Sequence, residues 1–317
     1  MSNDKSVIMI NYTVIIPHFN IPELLRRCLG SIPCREDVQV VVIDDCSSDE
    51  NLIILKEMEK SFSNVQFVYL EKNQGGGNAR NVGLQYAIGT YVFFADADDF
   101  FHECINDVFD EYKDETCDVV YFSADSVDSE TYQIIDRADR LRKQMERCVR
   151  DNDELKLELR FLFTEPWCKM IRKGLIDRFQ IRFDKTPAIN DVTFSYMVGY
   201  HATTIKADPR EIYCVTYRPS SITYTNTYER KVLMVNILGK KNRFLKDRHI
   251  PVFDKDFLSP FRDSFHERNW HQMDSFFKIA NKYGFSRSFI LYNLMKGSIQ
   301  FRVKYMFKSL CPVQNSR

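Results

Sequence analysis

The first 125 residues alternate between apolar runs of strand length and amphipathic runs of helix length. The strand-like runs are rich in β-branched and aromatic residues and lack polar alternation, as strands buried on both faces do. Strands that alternate with helices build a parallel sheet covered by helices on both sides. The pattern predicts strands over 12–17, 38–44, 65–70, 90–95 and 117–123, separated by helices over 22–31, 47–62, 75–89 and 102–113.

This alternation stops near residue 225, and the remaining sequence is rich in aromatic residues at helical spacing. We therefore predict an α/β domain over residues 1–225 and a helical C-terminal extension over 226–317. Residues 136–160 carry charges of both signs on a leucine pattern. That pattern predicts an exposed amphipathic helix with a solvated face and no chemistry.

Charge and cysteine usage limit the classes of partner and site. Lys and Arg number 44 and Asp and Glu number 44, so the net charge is zero and nucleic acid is not an expected partner. The nine cysteines form no CxxC pair and the six histidines no HxxxH pair, so spacing predicts reduced thiols, a cytoplasmic protein and no zinc site. The sequence also shows no signal peptide and no apolar run of membrane-spanning length.

A basic tail begins at about residue 287. Residues 287–317 contain six basic residues and no acidic ones, mixed with aromatic side chains. Such a segment suits peripheral contact with an anionic membrane, which would place the protein at the inner face of the cell membrane. The alternative is a basic helix that packs on its own domain.

Acidic residues follow two of the predicted strands. Asp96, Asp98 and Asp99 follow the fourth strand, and Asp44 and Asp45 end the second. Ligands of open α/β sheets bind at the carboxyl ends of the strands, and crowded carboxylates repel one another unless a cation shares them. A D-x-D pair suits Mg²⁺ or Mn²⁺, which prefer oxygen ligands. The sequence therefore predicts a divalent metal site here, with an acidic turn as the alternative.

A glycine-rich segment, "NQGGGNARN" (73–81), leads into the third predicted helix. Its glycines allow a close approach of the backbone to a ligand, the helix N-terminus favours phosphate, and Arg80 adds a positive charge. It is neither a Walker loop nor a dinucleotide-binding G-x-G-x-x-G motif. The alternative is a flexible loop with a helix cap.

Taken together, "TVIIPHFN", "VVVIDDCSSDE" and "NQGGGNARNVGLQYAIGTYVFFADADD" resemble the inverting family 2 glycosyltransferases of GT-A fold. The resemblance covers roughly residues 12–225. It implies a Rossmann-like, mostly parallel central sheet flanked by helices, a nucleotide-diphosphate sugar donor with UDP as the default, and Mn²⁺ or Mg²⁺ as cofactor.

The same resemblance assigns donor-side roles by position. Asp45, with Asp44 beside it, would contact the uracil, and Arg80 would lie near the base and diphosphate. Asp98 would ligate the metal, with Asp99 as a nearby second acid. Pro17 and Phe19 would border the base, and Asp96 would contact the ribose. Ala97, between Asp96 and Asp98, is included in the nucleotide site.

Downstream, "EPWCKMIRKGLIDRFQIRFDKTPAIND" is similar to the W-x-K segment and acidic pair of these enzymes. Asp191 would be the catalytic base, and Asn190 replaces the usual first acid of the pair. Trp167 and Lys169 would lie on the acceptor side. The segment around Arg218 resembles the part of the family that closes the site.

The predicted function is sugar transfer to a hydroxyl of a glycan or lipid-linked glycan, in surface polysaccharide synthesis of capsule or O-antigen type. A catalytically degenerate partner subunit is the main alternative, although retention of both Asp98 and Asp191 favours an enzyme. A haloacid-dehalogenase-type phosphatase would carry its D-x-D after the first strand. A nucleotidyltransferase would carry its glycine-rich loop there.

Overall fold

A sheet of eight strands runs through the first part of the chain. The computed structural model describes residues 9–148, 153–218 and 227–296, which fall into two compact units that divide between Tyr224 and Thr225. The described strands of the first unit are β1 (Tyr12–His18), β2 (Val38–Asp44), β3 (Val65–Tyr69), β4 (Tyr91–Phe94), β5 (Phe100–Phe101), β6 (Val119–Asp128), β7 (Lys169–Arg172) and β8 (Ile205–Tyr217).

Their order in the sheet is β3-β2-β1-β4-β7-β6-β8-β5. Strands β1 to β4 pair in parallel, as do β6 and β8. Strand β7 is antiparallel to both β4 and β6, and β5 is antiparallel to β8. The predicted fold class, an α/β protein with a mostly parallel central sheet, is confirmed. Neither antiparallel strand was predicted, because they are only four and two residues long.

Helices cover the sheet and connect its strands. They are α1 (Pro22–Gly30), α2 (Asp49–Ser61), α3 (Gly76–Tyr86), α4 (Ile105–Glu111), α5 (Asp139–Cys148), α6 (Asp153–Leu162), α7 (Lys173–Arg178) and α8 (Val192–His201). Helix α3 packs closely on the strands, since a Cβ atom on Gly83 would lie 2.4 Å from Cγ2 of Ile15. This close packing sets the height of the glycine-rich segment above the sheet.

The segment 136–160 differs from its prediction. It contains α5 and α6, on either side of residues 149–152, which lie outside the described residues. Leu141, Met145 and Leu159 on these helices are buried and belong to the main hydrophobic core. The prediction of a single exposed helix is therefore wrong. The charged side of the two helices is solvated, but their leucine stripe packs into the core of the first unit.

The second unit is helical, with α9 (Tyr228–Asp247), α10 (Ser259–His266) and α11 (Trp270–Lys282), a 3₁₀ turn at Lys255–Leu258 and helical residues 287–296. Phenylalanines fill its interior, among them Phe257, Phe261 and Phe276. Within the described ranges, no helix has the length and apolar character needed to cross a membrane. Residues 297–317, most of the predicted basic tail, lie outside the described residues.

Candidate active site

The carboxyl ends of β1 and β2 carry a buried polar cluster centred on Asp44. The backbone N–H of Ile21 donates to Nε2 of His18 over 3.1 Å, so Nδ1 carries the imidazole proton and donates to Oδ1 of Asp44 over 2.8 Å. Ser47 donates its backbone N–H and its hydroxyl to the same carboxylate. Burial opposes ionisation, but these hydrogen bonds outweigh it and lower the pKa of Asp44. Asp44 therefore holds the strand ends in place.

Asp45 holds the glycine-rich segment. Its Oδ1 accepts from the backbone N–H of Gln74 over 2.9 Å and its Oδ2 from that of Gly75 over 2.6 Å. Gly75 has a φ of 85°, in the left-handed region that glycine adopts without strain. Pro17 is the half-buried penultimate residue of the otherwise buried β1, and Phe19, which follows the strand, is 46% exposed. An aromatic face is thus available at the predicted nucleobase position.

Arg80, on the second turn of α3, connects that helix with the segment after β4 and the segment before α8. The guanidinium is buried; its Nη2 donates to Oδ1 of Asp96 over 2.5 Å and its Nη1 to Oδ1 of Asn190 over 3.2 Å. It also lies 5.5 Å from the centre of the Phe183 ring. Because Asp96 follows β4 and Asn190 precedes α8, one cation brings the D-x-D segment and the Asn-Asp pair together.

Strand β8 holds the backbone of the D-x-D segment. The hydroxyl of Thr216 donates to the carbonyl of Asp98 over 2.6 Å, and its backbone N–H donates to Oδ1 of Asp99 over 2.7 Å. The hydroxyl of Tyr213 accepts from the backbone N–H of Asp96 over 2.8 Å. Arg27 donates to the carbonyl of Asp98 as well. Sequence analysis missed Arg27, Tyr213 and Thr216, since no local motif connects them with residues far away in the chain.

The carboxyl groups of this segment differ in environment. Asp99 is buried, and burial together with the charges of Asp98 and Asp96 raises its pKa well above the ordinary value. The side chains of Asp98 and Asp96 are 21% and 33% exposed. Oδ2 of Asp98 accepts from Nε and Nη2 of Arg218 over 3.2 and 2.7 Å.

These residues fit a hard divalent cation. Each of the two partly exposed carboxylates, Asp96 and Asp98, already faces a guanidinium cation, so both positions favour positive charge. Besides burial, the negative charges of Asp98 and Asp96 contribute to the raised pKa of the neighbouring Asp99. The donor set consists of oxygen atoms, which suits Mg²⁺ or Mn²⁺. Ala97, between the two acids, is buried and packs into the core.

Asp191 lies at the N-terminus of α8, beside the Arg80–Asn190 contact. Part of its side chain reaches solvent, yet desolvation by the surrounding protein and the charge of Glu165 raise its pKa to about 6, against the opposing effect of Arg80. A carboxyl with such a pKa is ionised at neutral pH and accepts a proton more readily than an ordinary aspartate. Glu165 was not singled out from the sequence, although it directly precedes the predicted W-x-K segment.

Trp167 and Lys169, the two predicted acceptor-side residues, occupy different environments. The half-buried indole of Trp167 stacks on Tyr213, with ring centres 5.7 Å apart and planes 16° apart. Lys169 is only 1% exposed, and its Nζ donates to the carbonyl of Phe163 over 2.8 Å and to the hydroxyl of Ser195 over 3.2 Å. The structure thus places Lys169 in the interior, where it positions the segment ahead of Trp167, rather than on a surface open to an acceptor.

The structure thus brings the acids at two strand ends and the carboxyl of Asp191 together at one edge of an α/β sheet. The model of the family "Glycosyl transferase family 2" matches residues 13–179, slightly more than half of the 317 residues. The chain therefore belongs to glycosyl transferase family 2.

Two of the relatives are named for poly(ribitol-phosphate) glycosylation and for teichoic acid biosynthesis. The poly(ribitol-phosphate) beta-N-acetylglucosaminyltransferase TarS of Staphylococcus aureus is 35% identical over 100 residues, 30% of this chain and 17% of TarS. The minor teichoic acid biosynthesis protein GgaB of Bacillus subtilis is 37% identical over 123 residues, 36% of this chain and 13% of GgaB. The matched part thus spans less than a fifth of either relative.

Solved structures show the same fold. The S. aureus TarS fragment 1–349, in complex with UDP-GlcNAc, has a TM-score of 0.62 at 20% identity, with 86% of this chain and 81% of that chain covered. The mannosyltransferase PcManGT of Pyrobaculum calidifontis, in complex with GDP-Man and Mn²⁺, has a TM-score of 0.52 at 15% identity, with 93% and 81% covered. At this identity the likeness shows the fold alone.

We predict that Asp44→Asn destabilises the first unit by about 1–3 kcal/mol, because an amide N–H₂ would face either the imidazole N–H of His18 or the donors of Ser47. The measurement is the free energy of unfolding in urea. Asp114→Asn, at an exposed position, is the matched control and should change it little.

The difference between wild type and Asp44→Asn should also depend on pH. The pKa of Asp44 is lowered in the folded state, so its contribution is present above the ordinary pKa of about 3.9 and is lost as the pH falls through the folded value. A difference that is equally large at pH 7 and in strong acid would contradict this assignment.

Proposed function

We propose that this chain is an inverting, metal-dependent glycosyltransferase that moves a sugar from a UDP donor to a hydroxyl of a surface-polymer acceptor. One observation carries the proposal: the Arg80 guanidinium contacts both Asp96 and Asn190, which brings the donor-side acids next to the carboxyl of Asp191. A leaving-group site and a general base are thereby neighbours, as a single displacement requires.

Asp191 acts as the base in this proposal. The acceptor oxygen forms its bond to the anomeric carbon while the bond from that carbon to the diphosphate breaks, and the acceptor proton moves to the carboxylate of Asp191. Attack from the face opposite the leaving group inverts the configuration. A base of this kind is worth about 10²–10⁴-fold in rate.

Asp98 and Asp96 would hold Mn²⁺ or Mg²⁺, which when bound would neutralise negative charge on the departing diphosphate. Arg80 stays beside Asp96 and keeps a fixed positive charge near the same group. Burial and the charges of Asp98 and Asp96 raise the pKa of Asp99 well above the ordinary value, so this carboxyl ionises less readily than an ordinary aspartate. This chain's residues therefore favour an anionic diphosphate at the ends of β1 and β4.

For the donor, we infer a uridine nucleotide. The exposed Phe19 ring next to Pro17 provides an apolar face for a base, and Asp45 retains free lone pairs on both carboxylate oxygens beyond its two backbone contacts. The similar TarS fragment was solved with UDP-GlcNAc. A guanosine donor is the competitor, because PcManGT was solved with GDP-Man.

For the acceptor, we infer a glycan, lipid-linked glycan or polyol-phosphate polymer of a bacterial surface. The names of the relatives TarS and GgaB support a teichoic-acid type of polymer, whereas capsule and O-antigen remain predictions from the sequence. Trp167 offers an indole face for stacking on a sugar. We also propose that the enzyme works in the cytoplasm with its tail against the inner face of the membrane.

The first prediction from the proposed function concerns the donor site. UDP should bind wild type in the presence of Mn²⁺, and EDTA or Asp98→Ala should weaken the affinity roughly tenfold or more, as titration calorimetry would show. Asp114→Ala is the matched control, since that residue is exposed and lies outside the site. Equal UDP affinity in Asp98→Ala and wild type would remove Asp98 from the metal site, and preference for GDP would overturn the donor assignment.

The second prediction concerns the base. Asp191→Asn should lower kcat about 10²–10⁴-fold and leave UDP affinity unchanged, because only the proton acceptor is lost. Wild-type kcat/KM should fall as the pH drops through about 6, where Asp191 becomes protonated. Release of UDP from UDP-sugars is the assay. Nucleotide binding without turnover by wild type would favour the catalytically degenerate partner subunit.

The third prediction concerns the tail. Wild type should sediment with vesicles that contain anionic lipid, and replacement of Arg302, Lys304 and Lys308 by glutamine should reduce the bound fraction, since each basic residue near such a surface contributes about 1 kcal/mol. Neutral vesicles are the control. If wild type and variant bind equally, the tail does not make the membrane contact.

A further inference from the structure

Three strands place a histidine, an aspartate and a cysteine on one face of the sheet. Cys214 of β8 is in register with Asp125 of β6 on one side and with Phe100 of β5 on the other. Paired residues of neighbouring strands project to the same face, and so does a residue two positions further on. His102, two residues after Phe100, therefore joins Asp125 and Cys214 there.

The ligand atoms of these residues converge. Nε2 of His102 lies 2.8 Å from Oδ1 of Asp125, and one ligand atom from each of His102, Asp125 and Cys214 lies within 4.8 Å of the others. Nitrogen, oxygen and sulfur ligands at about 2.0–2.3 Å in a tetrahedron lie roughly 3.3–3.6 Å apart. Side-chain movements of about 1 Å would therefore bring all three onto one ion.

We propose that His102, Asp125 and Cys214 form a zinc site, with a water molecule as the fourth ligand. A nitrogen, oxygen and thiolate set is typical of Zn²⁺, whereas Mn²⁺ and Mg²⁺ favour the all-oxygen set at the D-x-D segment. Nothing in the proposed sugar transfer uses these residues, so the inference does not depend on that function.

An ion can reach this site from solvent. The side chains of His102 and Asp125 are 34% and 29% exposed, while Cys214 is buried beneath them. Burial and a hydrogen bond to Asp125 raise the pKa of the Cys214 thiol, so it is protonated without metal. Zinc binding would displace that proton to solvent and leave the thiolate as a ligand.

The position of the site indicates what a bound ion would do. Strand β5 has only two residues and directly follows the D-x-D segment. Thr216, two residues beyond Cys214, holds the backbone of Asp98. An ion shared by His102, Asp125 and Cys214 would therefore link β5 to β6 and β8 and hold the acidic segment in place from its far side.

The experiment measures zinc binding by the full-length protein. After dialysis against Zn²⁺, elemental analysis should find one equivalent in wild type, and competition with a chromophoric chelator should give the affinity. Co²⁺ in place of Zn²⁺ should produce a thiolate-to-cobalt absorption band, which Cys214→Ser should abolish. Both His102→Gln and Cys214→Ser should weaken zinc binding at least about tenfold.

Matched variants separate this site from other metal binding. Cys34→Ser and Cys104→Ser remove other accessible thiols, and Asp98→Ala removes the predicted manganese ligand; all three should retain the zinc equivalent. Circular dichroism without metal checks that each variant folds. If Cys214→Ser does not fold, the zinc affinity of His102→Gln tests the proposal instead, because the side chain of His102 is partly exposed. Zinc affinity equal in wild type and His102→Gln, or a cobalt complex of wild type without the thiolate band, overturns the proposal.

Discussion

The arrangement of the candidate active site depends on the buried guanidinium of Arg80 and its two hydrogen bonds. Arg80 lies on a helix that packs tightly against β1, and it contacts Asp96 on one side and Asn190 on the other. Without this cation, acids from distant parts of the chain would repel one another across a partly desolvated space. With it, the donor side and the proposed base form one continuous site. Desolvation and the charge of Glu165 raise the pKa of Asp191 to about 6, and Arg80 opposes that rise.

The surrounding protein gives chemically identical carboxyl groups different tasks. Asp44 accepts three hydrogen bonds and each oxygen of Asp45 accepts one from the backbone, so these two residues hold the strand ends and the glycine-rich segment. Burial, with the charges of Asp98 and Asp96, raises the pKa of Asp99 well above the ordinary value. Asp98 stays partly exposed beside Arg218, and Asp191 is only partly desolvated. The carboxyl groups proposed for proton transfer and cation binding, Asp191 and Asp98, are thus ones that retain contact with solvent.

Much of the fold followed from local pattern, and the exceptions have physical causes. Strands β1 to β4, strand β6 and the helices between them were predicted because period and burial are properties of contiguous residues. Strand β8 was not predicted, since its first half is charged and contains Pro209. Strands β5 and β7 were missed because two and four residues carry too little pattern. Lys169 was expected near an acceptor, yet its ammonium group is satisfied by interior carbonyls. Only the packing of the folded chain shows whether such a lysine lies in the interior or at a surface open to an acceptor.

By itself, the sequence determined the α/β class, the family, and the strand ends at which Asp45 and Asp98 lie. Those features depend on short-range order along the chain, where side-chain type and spacing suffice. The tertiary structure alone decided that β8 supports the D-x-D segment, that Arg80 reaches Asn190, and that His102, Asp125 and Cys214 share one face. Such contacts join residues far apart in sequence, and they arise only when strand order and register bring those residues together.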